Sequence, residues 1–270
     1  MISQFKSLFS YKELLLNFAK KELKVKYKNS VLGFLWSLLN PILMMLVFTF
    51  VFTFAFKIDP EALGIDNFPI FFLAGLLPWN FFNASVVGAT TSIVGNSALI
   101  KKVYFPRELL PISITLANLV NFGLEMIVFV GFLLVSGIFN PRFLSFYKYF
   151  PFLLLLVPIL FLFSLGISLL VSALNVYLRD IQHLVGILLM VLFYSSPIIY
   201  PIPPGGFGRF TIIYLLNPIT AIILSFKNAL YYMKIPSFNL VMYSIVVSIG
   251  VFLFGYYIFL RLEPEFAEEV

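Results

Sequence analysis

Hydrophobic residues in this chain fall into long uncharged runs rather than short periodic stripes. Charge-free stretches cover residues 29–56, 67–100, 109–124 (continued past Glu125 to 141), 149–178, 184–208 and 235–260. A helix needs about 20 apolar residues to cross a bilayer core, so the pattern predicts six membrane spans. A further uncharged stretch, 210–226, is only 17 residues long and holds Asn217-Pro218 in its middle. A break at that proline leaves each piece too short to cross, so this stretch is expected to be re-entrant or interfacial.

Composition supports the same picture. Of 270 residues, 61% are hydrophobic and 11% charged, whereas a soluble domain carries about 25% charged residues. The expected fold class is an all-α polytopic membrane protein forming one domain over 1–270. Its parts are an amphipathic interface helix (1–33), six spans (34–260), a re-entrant region before the last span (201–234) and a short tail (261–270). The absence of cysteine excludes disulfides, thiolate metal sites and thiol nucleophiles. A lone histidine, His183, leaves little room for imidazole metal sites or His-based acid/base chemistry. No catalytic, cofactor-binding or metal-binding residues are expected, and the chain reads as a transport subunit rather than an enzyme.

The net charge of +6 is explained by topology. With a cytoplasmic N-terminus, Lys6, Lys12, Lys20, Lys21, Lys24, Lys26, Lys28, Lys101, Lys102, Arg107, Arg179 and Arg261 lie inside. Lys57, Arg142, Lys148, Arg209, Lys227 and Lys234 lie outside. Twelve against six is a positive-inside bias that puts both termini in the cytoplasm, and no nucleic-acid partner is expected. Seven lysines before residue 29, with no small-residue cleavage site after them, read as an uncleaved anchor rather than a signal peptide.

Residues 11–28 have helical periodicity. Glu13, Asn17, Lys20, Lys21, Lys24 and Lys28 share one face, with Tyr11, Leu14, Leu15, Phe18 and Val25 opposite. A basic amphipathic helix ahead of a first span is expected in the membrane interface, as an anchor or as a docking surface for a cytoplasmic subunit. Leu-Leu-Asn-Pro-Ile occurs twice, ending at Ile42 and Ile219. It reads as two helix starts with proline in the first turn, or as chance.

Among chemical motifs the first finding is an absence. Gly205-Gly206-Phe207-Gly208-Arg209 lacks the spacing and the Lys-Ser/Thr pair of a phosphate-binding loop, so any ATP used must bind a separate chain. Glu125 is the acid nearest the middle of a span, and Asn118 and Asn121 on its face are positioned to hydrogen-bond it. It reads as an inter-helix hydrogen-bonding group, or as a residue of substrate passage or dimer contact. Phenylalanine fills every second position from Phe48 to Phe56. As a helix this makes two stripes, Phe48/Phe52/Phe56 and Phe50/Phe54, of which one faces lipid while the other packs or lines a pathway. Residues 97–108 are expected to form a brief helix up to Phe105, stopped by Pro106, that offers Lys101, Lys102, Arg107 and Glu108 to the cytoplasm. Residues 175–183 form a similar polar loop around Arg179-Asp180.

Six pieces occur in order along nearly the whole chain: Lys26-Tyr27-Lys28-Asn29-Ser30-Val31-Leu32-Gly33-Phe34-Leu35-Trp36 running on to Pro41; Gly75-Leu76-Leu77-Pro78-Trp79; Ile100-Lys101-Lys102 with Phe105-Pro106-Arg107; Leu174-Asn175 with Arg179-Asp180; Ser196-Pro197-Ile198-Ile199-Tyr200; and Asn217-Pro218. Together they resemble the membrane subunit of bacterial polysaccharide ABC exporters, the type-2 exporter family that handles O-antigen, teichoic acid and some capsules.

The resemblance implies a permease in the bacterial cytoplasmic (inner) membrane that pairs with a second copy of itself and with two nucleotide-binding ATPase subunits, which hold ATP and Mg. The exported polymer is a lipid-linked polysaccharide on undecaprenyl diphosphate, with O-antigen the leading candidate and teichoic acid or capsule the alternatives. The loop at 97–108 then acts as a coupling helix, so Lys101, Lys102, Tyr104, Arg107 and Glu108, with Lys20 and Lys24 of the interface helix, are ATPase-coupling candidates. Lys26, Lys28, Trp36, Arg179 and Asp180 are substrate-entrance candidates, because lysine and arginine can meet the lipid diphosphate. Phe48, Phe52, Tyr194, Tyr200 and Glu125 are channel-lining candidates, and residues 201–234 are the outer gate. An ion- or proton-coupled transporter using Glu125 as relay is the other class left open.

Overall fold

The computed structural model describes residues 10–28, 30–33, 35–55, 57, 60, 63–202 and 217–270. Among these the secondary structure is helical throughout. In chain order the helices are α1 (Lys12–Tyr27), α2 (Leu35–Phe50, widening into a π-helical turn at Val51–Ala55), α3 (Phe68–Thr90), α4 (Ser97–Ile100) and α5 (Leu109–Phe139). They are followed by α6 (Phe150–Tyr177), α7 (Ile181–Tyr194), α8 (Pro218–Leu230), α9 (Phe238–Leu262) and α10 (Phe266–Glu269).

Local chemistry sets several of these ends. The Asn67 side chain accepts a hydrogen bond from the Ile70 amide at 3.1 Å, and Pro69 occupies the first turn of α3. Gly33 lies at φ +51, with its amide bonded to Ser30 Oγ at 3.1 Å. This left-handed residue lets the chain turn between α1 and α2 without the strain a Cβ would add. Pro218 opens α8, as the repeat predicted, but Pro41 sits inside α2 rather than in its first turn.

α3 is the hub. It is buried on nearly all sides, with 78% of its most apolar window inside the protein, and α2, α5, α6, α7 and α8 pack around it. Among the described residues five helices are long and apolar enough to cross a membrane: α2 with its π turn, α3, α5, α6 and α9. Within the fifth expected span, 184–208, the described residues 184–202 do not form one continuous helix. α7 has 14 residues, about 21 Å at 1.5 Å per residue against a core of about 30 Å. It ends in a turn where Ser196 Oγ donates to the Leu192 carbonyl at 2.6 Å and Tyr200 Oη to the Tyr194 carbonyl at 2.7 Å.

Contacts sort the helix ends into two groups. At one end Phe18 meets Phe105, Lys21 bonds Asn96, Arg107 meets Glu263, and the Tyr177 hydroxyl bonds Glu265. At the other Arg142 pairs with Asp66 at 2.6 Å and the Asp66 amide donates to Tyr231 Oη at 2.9 Å. α6 finishes at the first end and α9 starts near the second, so α7, its terminal turn and α8 lie on the part of the chain that makes this passage. A proline-rich sequence breaks what would otherwise be one span.

The apolar stripe of α1 is turned onto the protein rather than outward. Tyr11, Leu14, Leu15 and Phe18 pack on a core of Ile93, Ile100, Phe105, Leu109, Phe259 and Phe266. Val25, expected on that stripe, is exposed.

Candidate functional site

Three constellations carry the polar chemistry. The first is a surface at the end that bears both described termini. Lys20, Lys24, Lys101, Lys102 and Tyr104 are exposed, Tyr104 almost fully at 91%. α1 and the 97–108 loop are joined beneath them by the Phe18–Phe105 edge contact and the Lys21–Asn96 hydrogen bond at 3.1 Å. The loop is less helical than expected. α4 ends at Ile100, with closing hydrogen bonds only as far as Val103, because β-branched Val103 and the residue before Pro106 both favour extended backbone.

Arg107 and Glu108 face inward. The Arg107 amide donates to Glu263 Oε1 at 3.1 Å and its guanidinium to the Glu263 carbonyl. Glu108 is 2% exposed, which removes its carboxylate from the exposed set. Burial, reinforced by the neighbouring Glu263 carboxylate, pushes Glu108 up to about 7.

The second constellation is a cavity of about 360 Å³ enclosed by α1, α2, α3 and α5. Its wall carries five asparagines, Asn40, Asn80, Asn83, Asn118 and Asn121, together with Glu125, Lys26 and the rings of Tyr27 and Trp36. Tyr27 Oη donates to Asn121 Oδ1 at 2.8 Å, and Lys26 Nζ reaches Asn118 Oδ1 at 3.5 Å, the outer limit of a hydrogen bond. The two asparagines expected to bond Glu125 therefore serve α1 instead. Asn121 Nδ2 and Glu125 Oε2 are buried without a hydrogen-bond partner. Burial holds the Lys26 ammonium below its ordinary value, and Glu125 partly offsets this.

The third lies around the turn after α7. Lys227 of α8 is 1% exposed; its Nζ donates to the Ile198 carbonyl at 3.0 Å and sits 3.2 Å from the centroid of the Phe71 ring. Asn217 Nδ2 lies 3.3 Å from both Ser195 Oγ and Ser196 Oγ. Of the outer-gate segment, residues 203–216, and with them Arg209, lie outside the described residues.

The structure thus brings Lys26, Trp36 and Glu125 together at one cavity. Lys28 is exposed just beyond α1, and Arg179 and Asp180 are exposed between α6 and α7, with no described contact joining them to it. Phe48 packs on Phe72 at 4.9 Å and Phe52 on Phe68 at 5.5 Å, so this is the packing stripe, while Phe50 is 61% exposed. Tyr194 is exposed beside Phe193.

Sequence reading missed Asn40, Asn80, Asn83 and the burial of Lys227, which had been counted as a loop cation. The signal was present. Asn80 and Asn83 are one turn apart in an apolar helix, as are Asn118 and Asn121, and buried amides at helical spacing mark a shared polar face. Among the described residues no group of three or more His, Cys, Asp or Glu could hold a metal ion.

Comparison with known proteins agrees with this architecture. The O-antigen export system permease protein RfbA of Myxococcus xanthus is 34% identical over 272 residues, covering 100% of both chains. Two Klebsiella pneumoniae proteins of the same name are 32% and 34% identical over 95% of this chain and 94% of theirs. The profile of the ABC-2 type transporter family matches residues 13–231. A helical membrane protein matched over most of its length by that profile, and end to end by such a relative, belongs to the ABC-2 type transporter family as a transport subunit.

Proposed function

We propose that this chain is the permease subunit of an ATP-driven exporter that carries an undecaprenyl-diphosphate-linked polysaccharide, O-antigen, across the bacterial cytoplasmic membrane. Two copies of the chain work with two separate ATPase chains, which bind ATP and Mg; both termini lie in the cytoplasm. The observation that carries this reading is the exposed surface of Lys20, Lys24, Lys101, Lys102 and Tyr104, stapled through Phe18 and Phe105 to the base of the spans. It is a basic and aromatic face on a rigid support, suited to an acidic cleft of a second protein. The end-to-end relatives named as O-antigen permeases supply the cargo.

In this reading closure of the ATPase pair pushes the 97–108 loop and α1 together. Lys28 and Arg179, both exposed, meet the lipid diphosphate through charge-assisted hydrogen bonds. The half-exposed apolar faces of α2 and α7, with Leu46, Val47, Leu188 and Tyr194, are where a second copy and the glycan path are placed.

The test is charge reversal, K101E/K102E, in a strain lacking its own copy and co-expressing the partner ATPase. Loss of co-purification and of surface glycan is expected. An intact complex with normal export would refute the docking surface. Arg179→Ala should lower export while the complex still assembles.

A further inference from the structure

The cavity between α1, α2, α3 and α5 has a composition that membrane packing alone does not call for. Polar side chains inside spans are costly, yet five amides, one carboxylate and one ammonium converge on about 360 Å³. Two of their atoms are left without partners. Asn121 Oδ1 is occupied by Tyr27, whereas its Nδ2 donor is buried and unpaired; Glu125 Oε2, one helical turn further along α5, is a buried and unpaired acceptor. An unsatisfied buried polar group costs about 1–3 kcal/mol, so Asn121 favours a guest that accepts a hydrogen bond and Glu125 one that donates.

A hydroxyl group does both. An amide-lined pocket with one carboxylate and aromatic rings at its wall matches a ring that carries several hydroxyls on its edges and C–H groups on its faces. Asn80, Asn83 and Asn118 provide further donors and acceptors, while Trp36, Tyr27, Phe81 and Phe122 offer apolar surface. The volume lies at the lower end of the range of about 300–1,000 Å³ for small-ligand pockets, which suits one sugar ring rather than an extended chain.

Charge decides against the other chemistry a lipid-linked sugar presents. A diphosphate brings at least two negative charges and calls for arginines or a helix N-terminus. The cavity has a single cation, Lys26, set against Glu125, and its asparagines and Glu125 project from within α2, α3 and α5. We propose that this cavity is a binding subsite for one uncharged pyranose ring of the exported glycan, held through its hydroxyls by Asn121, Glu125 and the neighbouring amides and stacked on Trp36. The proposal rests on the exporter reading for its cargo, and it moves Lys26 from the diphosphate to the sugar.

The chain carries its own reporter. It has two tryptophans: Trp36 lines the cavity and is 48% exposed, and Trp79 is buried at 5%. In the Trp79→Phe chain, purified in detergent micelles with no other protein present, tryptophan-selective fluorescence reports on Trp36 alone. Titration with methyl pyranosides of the gluco, galacto and manno series is expected to give a saturable change with at least one of them, and inorganic pyrophosphate none. Asn121→Leu and Glu125→Leu should each weaken that binding about tenfold, the worth of one hydrogen bond to a buried group, and Glu125→Gln less.

A saturable response to pyrophosphate but not to any pyranoside would make the cavity an anion site and overturn the proposal. A linear, unsaturable response to every solute, in a chain that still unfolds cooperatively, would make it a water-filled void and overturn it too. Because binding is read on this chain without an ATPase, the subsite can fail while K101E/K102E still uncouples export. The exporter reading can likewise fail, through normal export in that variant, while sugar binding stands.

Discussion

Replacing Gly255 by alanine should separate two of the spans. α6 and α9 cross at Gly166 and Gly255, where a Cβ built on Gly255 would run into the Gly166 carbonyl oxygen and lie 2.9 Å from its carbon. One built on Gly166 would lie 2.6 Å from Phe252 Cα. Both obstacles are backbone, so no side chain can swing aside. Ordinary van der Waals contact begins near 3.4 Å, so the helices must part by about 1 Å. A radial gap of 0.5–1 Å forfeits about a quarter to a half of each dispersion contact along the crossing. Overpacking of this kind costs about 1–3 kcal/mol, and in a lipid environment close approach at small residues is a main source of helix association.

Gly250 on the same helix is the control, because a Cβ there meets nothing within 4 Å. Its change to alanine should be neutral or slightly stabilising through helix propensity. The assay is the temperature at which detergent-solubilised protein loses its monodisperse gel-filtration peak. A loss of 1–3 kcal/mol corresponds to a fall of several degrees at about 2–4 °C per kcal/mol. Equal midpoints for Gly255→Ala and Gly250→Ala would refute the crossing.

Tyr27→Phe removes the hydroxyl that bonds Asn121; it should cost about 1 kcal/mol and increase protease cleavage within α1 while the spans stay protected. Lys227→Met keeps the alkyl volume but strands the Ile198 carbonyl and vacates the face of Phe71; it should destabilise by about 1–3 kcal/mol, whereas Asp66→Asn, which breaks an ion pair with side chains 38% and 51% exposed, should cost no more than about 1 kcal/mol. Glu108 supplies a pH test. Its folded-state value of about 7 lies above the ordinary 4.5, so the folded chain favours the protonated acid, and the stability this contributes below pH 4.5 is lost as pH rises through 7. Glu108→Gln should flatten that slope in thermal scans between those values; an unchanged slope would put its origin elsewhere.

What the sequence made legible follows from where each signal resides. Spans are written in uncharged length: α5, α6 and α9 fall within a few residues of the runs that predict them, and α3 starts with its run but stops ten residues before the run's end at 100. α1 was legible from its periodicity. The broken fifth passage was legible only in part, because composition reports how apolar 184–208 is while the stop at Ser195 depends on hydroxyl-to-carbonyl bonds and on the reach of Lys227 from α8. A burial of that kind is a tertiary fact. Lys227 has the sequence surroundings of a loop cation, and Glu108 those of a cytoplasmic loop; each is buried by helices distant in the chain. The cavity was half legible. Asn118, Asn121 and Glu125 stood out on one face, but their partners Lys26 and Tyr27 come from a helix more than 90 residues earlier.

One short helix therefore touches both proposed sites. Phe18 and Lys21 tie the middle of α1 to the 97–108 loop, and Lys26 and Tyr27 at its C-terminal end form part of the cavity wall. Lys21 and Tyr27 are six residues apart, about 9 Å along the axis, with regular helix between them. A helix segment of that length moves as a rigid body, so a displacement of the loop that carries Phe105 is transmitted to Tyr27 Oη and hence to Asn121. The α1–Asn121 contact is then the place where docking at the surface and occupancy of the cavity meet. By linkage any coupling between them is reciprocal: a guest that favours one position of α1 must favour one position of the loop by the same free energy. In the Trp79→Phe chain this can be read directly. Binding of the ATPase should shift the pyranoside titration seen by Trp36, and Tyr27→Phe should reduce that shift while leaving the ATPase bound. A titration identical with and without the ATPase would mean that α1 anchors both sites but couples neither.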